Sequence, residues 1–238
     1  MIEPYYSKNN VTIYNADWHD VIDELPHFDL LLADPPYGIS VLDGYQGRAN
    51  RKSGKAQVKG TDWGEGDWDE TAPPKEDFDK LISKSTNQII WGGNYFGLPA
   101  SSCWFVWDKE NGENLYADCE LAWTNFESAV RLFKYKWHGF IQADMKNKEK
   151  RVHPCHKPLA LFKFCIEKSP KSVKTIFDPY MGGGGSLVAA LSYQLKENRV
   201  IQAVGCEREE KYCEVAVKRL EELNEKIVTR KNDEDWIS

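Results

Sequence analysis

The stretch FDLLLADPPY, residues 28–37, decides the fold class. Its first six residues are apolar apart from one aspartate, a pattern typical of a strand buried on both faces of a parallel sheet. The stretch ends in Asp34-Pro35-Pro36-Tyr37, where the two prolines fix φ and remove two backbone donors. We therefore predict a buried strand whose C-terminal end meets a rigid turn.

Further strands and helices alternate along the chain on either side of this stretch. Strand patterns cover residues 11–14, 88–91, 103–107, 120–123, 173–177 and 200–206, and helical patterns cover 74–82, 157–168, 186–195 and 208–226. Such alternation predicts a doubly wound α/β fold, in which ligands bind at the carboxyl ends of the strands. The three motifs described below all lie at predicted strand ends, so that one cleft can hold them.

The composition indicates one globular domain. The chain has 238 residues, of which 41% are hydrophobic, enough for a single α/β domain over residues 1–238 with a polar tail at 228–238. No apolar run approaches the roughly 20 residues of a membrane span, and the first residues lack a secretory signal, so we expect a cytoplasmic protein without a membrane partner. His153, Cys155 and His156 lie close together, but no second ligand pair follows, and we predict no metal site.

Positive charges are concentrated in two stretches of a chain whose formal net charge is −6. Residues 41–72 have the composition of a long loop, with no acid between Asp43 and Asp62, and a second basic stretch covers residues 134–151. This segregation permits one basic face on an acidic protein, although a solvated surface loop has the same composition. The basic residues of the first stretch are Arg48, Arg51, Lys52, Lys55 and Lys59.

The motif Asp34-Pro35-Pro36-Tyr37 offers acceptors for an exocyclic amine. The lone pair of such an amine is delocalised into its ring, which makes the nitrogen a poor nucleophile. The carboxylate of Asp34 and the carbonyl of Pro35 can accept its two N–H groups, draw it toward tetrahedral geometry and favour the developing positive charge. Tyr37 offers a flat face on which a base can stack. A rigid turn without a catalytic role is the alternative interpretation.

A glycine-rich turn, FDPYMGGGGS at residues 177–186, follows a later strand. Backbone can approach a ligand closely at such a turn between a strand and a helix. Gly182 and Gly184 match the first two glycines of a dinucleotide fingerprint, but Leu187 occupies the third place, and no Gly-Lys-Ser/Thr of a phosphate-binding loop follows. The turn suits the carboxylate end of a methionine moiety, or it is an ordinary glycine-rich loop.

The segment Gly205-Cys206-Glu207 ends the next predicted strand, about twenty residues beyond the glycine loop. An acid at this position can accept hydrogen bonds from both hydroxyls of a ribose. An acid at the start of a helix is also favoured by the helix dipole alone. The distance from the glycine loop therefore favours, without proving, a nucleoside-binding role for Glu207.

These motifs together resemble the beta group of amino-methylating DNA methyltransferases, in which the catalytic motif precedes the cofactor motif. DPPY at 34–37 matches the catalytic motif, and DPYMGGGGS at 178–186 resembles the cofactor motif, usually written Asp-Pro-Phe-Met-Gly-Ser-Gly-Thr. HPCHKP at 153–158 resembles the His-Pro-x-x-Lys-Pro element, and GCE at 205–207 resembles the ribose motif. The segments 107–109 and 118–121 resemble those of small phage and prophage adenine methylases. The departures are Tyr180 for phenylalanine and the additional glycines.

The resemblance implies a seven-stranded, mostly parallel, Rossmann-like sheet with a permuted motif order, and S-adenosylmethionine as the cofactor. Asp178 and the loop at 182–186 would hold its methionine part, Glu207 its ribose, Asp17 its adenine amino group and Lys157 its carboxylate. The residues expected to contact the cofactor are Asp17, Asp34, Lys157, Asp178, Pro179, Tyr180, Met181, Gly182, Gly184, Ser186 and Glu207. Residues 41–72 and 134–151 would contact double-stranded DNA. The resemblance also allows a homodimer, in a bacterium or a phage-infected host.

The acceptor that the resemblance implies is the N6 amino group of an adenine flipped out of duplex DNA, in a site-specific restriction-modification context. Asp34, Pro35, Pro36 and Tyr37 would then be the catalytic residues. Aspartate at the first position of the motif is usual in adenine methylation, and serine is more usual in cytosine methylation. This rule has exceptions, so N4 of cytosine remains an alternative. An RNA or protein amide methyltransferase and an inactive DNA-binding protein of this fold remain weaker alternatives.

Overall fold

The computed structural model describes residues 2–39, 71–112, 117–138, 141–150, 156–197 and 199–235. Eleven strands are found among them. They are β1 (Tyr6–Lys8), β2 (Val11–Asn15), β3 (Phe28–Ala33), β4 (Ser85–Trp91), β5 (Trp104–Asp108), β6 (Cys119–Thr124), β7 (Arg131–Lys134), β8 (Trp137–His138), β9 (Ile141–Gln142), β10 (Thr175–Asp178) and β11 (Gln202–Glu207). Nine form one sheet in the order β1-β2-β11-β10-β3-β4-β6-β5-β7, and β8 and β9 form a separate hairpin.

The central part of the sheet is parallel. β2, β11, β10, β3 and β4 are parallel neighbours. β6 is antiparallel to both β4 and β5, β7 is parallel to β5, and β1 is antiparallel to β2. The predicted doubly wound, mostly parallel sheet is therefore confirmed, and β1 and β7 add one edge strand on each side of the seven predicted strands.

The strand β3 is buried on both faces of the sheet, as its apolar run predicts. Leu30 and Leu32 belong to one hydrophobic cluster, whereas Leu31 and Ala33 belong to a second cluster. Successive side chains of a strand point to opposite faces, so the two clusters cover the two sides of the sheet. The rigid Asp-Pro-Pro turn that follows β3 is thereby anchored to the core.

Helices cover both faces of the sheet. They are α1 (Lys75–Ser83), α2 (Leu159–Lys168), α3 (Gly185–Glu197) and α4 (Glu210–Asp235). α1 contributes Phe78 and Leu81 to the cluster of Leu31. The other three helices contribute to the cluster of Leu30, for example through Leu161, Leu187 and Leu220.

The last helix extends beyond its predicted end. α4 continues to Asp235, so that the backbone of residues 228–235, predicted as a polar tail, is helical. The polar, charged sequence is compatible with a solvated helix, because charged residues at helical spacing need no buried face. Within the described ranges, none of the helices combines the length and the apolar character that crossing a membrane requires.

Candidate active site

The carboxyl ends of four parallel strands bring the predicted site residues to one edge of the sheet. Asp34 follows β3, Asp178 ends β10, and Glu207 ends β11. β10 pairs with both β3 and β11, and β11 pairs with β2, whose end precedes Asp17. The catalytic and cofactor motifs, far apart in the chain, therefore lie side by side, where ligands of doubly wound sheets bind.

The catalytic motif forms a compact hydrogen-bonded group at the end of β3. The hydroxyl of Tyr37 donates to Oδ1 of Asp34 over 2.9 Å. The ring of Tyr37 stacks on Tyr95, with 5.2 Å between ring centroids and 22° between planes. Gly92 lies against the Tyr37 ring with φ of +70°, and a Cβ there would overlap the ring. Glycine is therefore required behind Tyr37, both for its conformation and for space.

Lys157 lies at the catalytic carboxylate. Its Nζ is 2.6 Å from both carboxylate oxygens of Asp34 and 3.0 Å from the hydroxyl of Tyr37. The carboxylate of Glu149 accepts the backbone N–H of Leu159 at 3.1 Å, which caps the start of α2 and fixes the chain beside Lys157. The observed partner of Lys157 is Asp34, so its contact with the cofactor stays a prediction.

Two further charged residues complete this network, and sequence reasoning assigned neither of them a role. Glu120 on β6 places Oε2 at 3.2 Å from Nζ of Lys157, and its Oε1 lies 2.5 Å from Nζ of Lys109. Their sequence signals are a charged residue in or just after a mainly apolar strand and the resemblance of segments 107–109 and 118–121 to those of adenine methylases, which gave neither residue a role. Pairing across β5 and β6 brings them together, and charges in such partly buried places are usually paired. The network alternates in sign along Lys109, Glu120, Lys157 and Asp34.

Burial and neighbouring charges shift the pKa values of Asp34 and Glu120 differently. Burial raises the pKa of Asp34, the ammonium of Lys157 opposes this shift, and the carboxylate of Glu120 adds to it. Burial would also raise the pKa of Glu120, but the ammonium groups of Lys157 and Lys109 outweigh it and hold this pKa at about 2. Glu120 is therefore a fixed negative charge at neutral pH, whereas the ionisation of Asp34 depends on Lys157.

The glycine-rich turn between β10 and α3 is shaped by backbone conformation and close packing. Gly182 and Gly184 have φ of +50° and +72°. A Cβ on Gly184 would lie 2.6 Å from the Cβ of Ala216 on α4. Nη1 of Arg219, also on α4, donates to the carbonyl oxygen of Gly183. The last helix therefore packs directly on the turn and holds it in place.

Asp178 is buried beneath the glycine-rich turn. It is 2% exposed, accepts the backbone N–H of Tyr180 at 3.0 Å and is hydrogen-bonded by the hydroxyl of Ser186. Burial raises the pKa of Asp178 to about 7, although both hydrogen bonds favour the charged form. Met181 is buried in the core, and the hydroxyl of Tyr180 accepts the indole N–H of Trp18 at 3.0 Å. Asp178 is thus a carboxyl group that a nearby cation would stabilise in its charged form.

Glu207 and Asp17 lie on neighbouring strand ends. Oε1 of Glu207 accepts the backbone N–H of Glu209 at 2.8 Å, and burial raises the pKa of Glu207. Oδ1 of Asp17 accepts the backbone N–H of His19 at 3.0 Å and lies 2.6 Å from Nδ1 of its ring. The side-chain amide of Asn15 bridges the two strand ends by donating to the carbonyl oxygen of Glu207 at 3.0 Å. Both acids are thus oriented by backbone contacts.

The residues of this edge fit S-adenosylmethionine. The cofactor carries an ammonium group, a sulfonium and a ribose with two hydroxyl donors. Asp178 and Glu207 are carboxyl groups whose pKa burial raises, and a bound cation or hydroxyl donors would relieve that penalty. At Gly184 a Cβ would meet Ala216, so packing on α4 requires glycine at this position of the turn.

The residues predicted to contact DNA are only partly described by the structure. Arg48, Arg51, Lys52, Lys55 and Lys59 lie outside the described residues. In the second basic stretch the lysines are exposed to solvent, and they are Lys134, Lys136, Lys146, Lys148 and Lys150. The prediction of DNA contact stays a prediction for both stretches.

Comparison with known proteins identifies relatives over almost the whole chain. A family model described as DNA methylase matches residues 107–218. The chain is 25% identical to the Type II methyltransferase M2.LlaDCHI of Lactococcus lactis subsp. cremoris, over 92% of this chain and 93% of that protein. It is 24% identical to the Type II methyltransferase M2.DpnII of Streptococcus pneumoniae, over 94% of this chain and 95% of that protein.

Solved structures of methyltransferases share the fold. The PvuII DNA methyltransferase (cytosine-N4-specific) has a TM-score of 0.57 and 12% identity, over 91% of this chain and 88% of that chain. The M1.HpyAVI–SAM complex has a TM-score of 0.51 and 18% identity, over 88% of this chain and 98% of that chain. At these identities the likeness is one of fold.

Proposed function

We propose that this chain is an S-adenosylmethionine-dependent, amino-methylating DNA methyltransferase of the beta group that acts on the exocyclic N6 of adenine. The observation that carries the proposal is the carboxylate of Asp34, held at the end of β3 beside the hydroxyl of Tyr37. Aspartate at the head of this motif is the form typical of adenine methylation. The group is only partly exposed, so its charge acts on a bound amine with little screening by water.

The chemistry required of the chain is to activate a weak nucleophile. S-adenosylmethionine supplies the electrophilic methyl group. The carboxylate of Asp34 and the carbonyl of Pro35 accept the two N–H groups of the amine and favour positive charge on its nitrogen. The ring of Tyr37 stacks on the base, and this fixed placement provides much of the rate. Asp34 can take the proton that the methylated nitrogen releases and pass it to water.

The cofactor contacts are assigned by the same proposal. Asp178 and the glycine-rich turn hold the methionine part, Glu207 holds the ribose, and Asp17 accepts the adenine amino group. The supporting observations are the burial of Asp178 and the position of all three acids at adjoining strand ends. Backbone hydrogen bonds orient each carboxylate before any ligand arrives, which reduces the ordering that binding requires.

Mass spectrometry of nucleosides tests the acceptor. Unmethylated duplex DNA is incubated with the protein and isotope-labelled S-adenosylmethionine and digested to nucleosides. We expect labelled N6-methyldeoxyadenosine, and none with Asp34→Ala. Labelled N4-methyldeoxycytidine would contradict the adenine assignment while leaving DNA amino-methylation intact. Label found only in RNA or in a peptide amide, or full DNA methylation by Asp34→Ala, would reject the proposed chemistry.

DNA contact by residues 41–72 and 134–151 is proposed from the lysines and arginines clustered between Asp43 and Asp62 and along residues 134–151. Each lysine or arginine that neutralises a phosphate contributes about −0.9 to the slope of log affinity against log salt. Substituting glutamine at Arg48, Arg51 and Lys55 should therefore make the slope shallower by up to about 2.7. Lys75→Gln serves as the control, because Lys75 is exposed on α1 and paired with Asp79. An unchanged slope in the triple variant would count against this surface.

The biological setting is a further part of the proposal. Both curated relatives carry the name Type II methyltransferase, which supports a role in restriction-modification with site-specific methylation. A cytoplasmic location, a homodimer and a phage or prophage origin stay predictions. Light scattering coupled to size-exclusion chromatography measures the oligomeric state, and methylome sequencing of a host that expresses the protein reads the recognition sequence.

A further inference from the structure

The ammonium of Lys157 is fixed by three partners. The side chain is 5% exposed and its Nζ lies 2.6 Å from both oxygens of Asp34. The hydroxyl of Tyr37 is 3.0 Å away and Oε2 of Glu120 is 3.2 Å away. An ammonium has three N–H donors, and here four oxygen atoms of these three groups surround it, so that at least one N–H is shared between two acceptors. Lys157 thus has one preferred orientation, in contrast to a lysine that extends into solvent.

The same contacts leave the catalytic carboxylate able to bind an amine. A carboxylate offers about four acceptor positions, two on each oxygen. Lys157 occupies one position on each oxygen, and the hydroxyl of Tyr37 occupies the second on Oδ1 of Asp34. As far as the contacts of the described residues go, one position on Oδ2 therefore remains for an N–H of the target. Lys157 can stay in place while Asp34 accepts the substrate.

We propose that Lys157 is the positioning residue of the catalytic carboxylate, and that Glu120 and Lys109 hold Lys157 in turn. The ammonium fixes the direction of the Asp34 carboxylate and compensates its charge, leaving one lone pair of Oδ2 for the amine. This inference rests on the proposed function, because it takes Asp34 as the acceptor of the target amine. It assigns Lys157 a different task from the contact with the cofactor carboxylate expected from sequence.

The network predicts that removing its positive charge and removing its negative charge change the ionisation of Asp34 in opposite directions. The groups that face or influence Asp34 are Lys157, Glu120, Tyr37, Lys109 behind Glu120, Asp178 at the end of β10 and Cys165 on α2. Removing the ammonium of Lys157 leaves two carboxylates facing each other, which disfavours ionisation of Asp34. Removing the negative charge of Glu120 favours that ionisation. If these residues had a purely structural role, the two substitutions would not shift the ionisation of Asp34 in opposite directions.

The test measures kcat and KM against pH with the full chain, S-adenosylmethionine and unmethylated duplex DNA. We expect Lys157→Met to lower kcat about 100-fold, the loss typical of a displaced reacting group, and to move the acid limb of the kcat profile to higher pH. We expect Glu120→Gln to move the same limb to lower pH. The matched control is Lys168→Met at the end of α2, the helix that follows Lys157. Lys168 is partly exposed and pairs with Glu167, so this variant should change neither quantity.

Several outcomes would overturn the inference. If Lys157→Met weakens S-adenosylmethionine binding in calorimetry tenfold or more and leaves the acid limb in place, Lys157 serves the cofactor instead. If Lys157→Met and Glu120→Gln move the limb in the same direction, or not at all, the network is only structural.

A second variant is used if Lys157→Met does not fold. If Lys157→Met lacks a cooperative thermal transition, Lys157→Arg replaces it. The retained charge should leave the acid limb near the wild-type position while kcat falls, and an unchanged kcat would overturn the inference. Failure of the proposed function is separate, because a wild-type protein that makes N4-methyldeoxycytidine still allows kcat of every variant to be measured on that base.

Discussion

Replacing Asp178 by asparagine is expected to make the free protein more stable and its cofactor binding weaker. Asp178 is 2% exposed beneath the glycine-rich turn, and burial raises its pKa from 3.8 to about 7. A carboxyl group whose pKa is raised on folding contributes stability that is fully present below its unfolded pKa. That stability is lost as the pH rises through the folded pKa. An asparagine side chain at this position keeps the shape of the aspartate and removes its charge.

The magnitude follows from the shift in pKa. A shift of about three units at 1.36 kcal/mol per unit corresponds to a penalty of roughly 4 kcal/mol when Asp178 is ionised in the folded state. At pH 8 the full penalty applies, whereas at pH 5 the folded carboxyl group is mostly protonated. The advantage of Asp178→Asn over the wild type should therefore grow by roughly 2–3 kcal/mol between pH 5 and pH 8. Any hydrogen bond that the neutral amide fails to make weakens the variant equally at both pH values, so it cancels in this difference.

Urea unfolding of the free protein at pH 5 and pH 8 measures the effect, and Asp29→Asn is the matched control. Oδ2 of Asp29 accepts the backbone N–H groups of Lys174 and Thr175 at 2.8 and 2.9 Å, and these hydrogen bonds outweigh burial and lower its pKa. Its stabilisation is present above the unfolded pKa and is lost only in stronger acid. Asp29→Asn should therefore be destabilising by nearly the same amount at both pH values.

Calorimetry then measures how Asp178→Asn binds S-adenosylmethionine. A hydrogen bond to a charged group contributes about 1.5–3 kcal/mol, so Asp178→Asn should weaken S-adenosylmethionine binding about 10- to 100-fold. The reasoning is refuted if the stability difference between Asp178→Asn and the wild type is the same at pH 5 and pH 8. Unchanged affinity together with the expected stability change would instead remove Asp178 from the cofactor site.

Two further substitutions probe the cofactor edge. Gly184→Ala should lower the free energy of unfolding in urea by about 2–4 kcal/mol, because it combines a positive φ with a Cβ 2.6 Å from that of Ala216. The control is Gly112→Ala, at a φ of +69° with no described atom within 4 Å of the added Cβ, and it should lower the free energy of unfolding by only about 1 kcal/mol. Equal losses in the two variants would show that packing on α4 is unimportant. Glu207→Gln should raise the Kd for S-adenosylmethionine about tenfold in calorimetry with no loss of stability, and an unchanged Kd would remove Glu207 from the ribose contact.

Several features of the fold could be predicted from local sequence. The apolar run of β3 requires burial on both faces, and the alternation of strand and helix patterns requires a doubly wound sheet. The strand β1 was missed, although Asn9-Asn10 gives a local signal for it. Both residues have positive φ in a two-residue hairpin between Lys8 and Val11. β7 at the other edge has no comparable signal, since it is short and mostly exposed.

The network around the catalytic carboxylate could not be predicted in this way. Lys157 is separated from Asp34 by 123 residues in the chain. Glu120 lies on β6 and Lys109 directly follows β5, and the pairing of these two strands brings their charges together. Sequence patterns report backbone preferences and the periodicity of burial, both of which are local. Which cation meets which anion depends on distances that only the packed sheet sets.

The sequence by itself determined the strand-turn motifs at Asp34 and Asp178, their permuted order and the resemblance to amino-methylating DNA methyltransferases. Proline and glycine restrict the backbone locally, and hydrophobic periodicity is a property of neighbouring residues. Only the tertiary structure decided that Lys157 binds the carboxylate of Asp34, and that Gly184 must lack a side chain because α4 packs on it. These are contacts between segments distant in the chain, and they form only when parallel strand ends and the last helix come together.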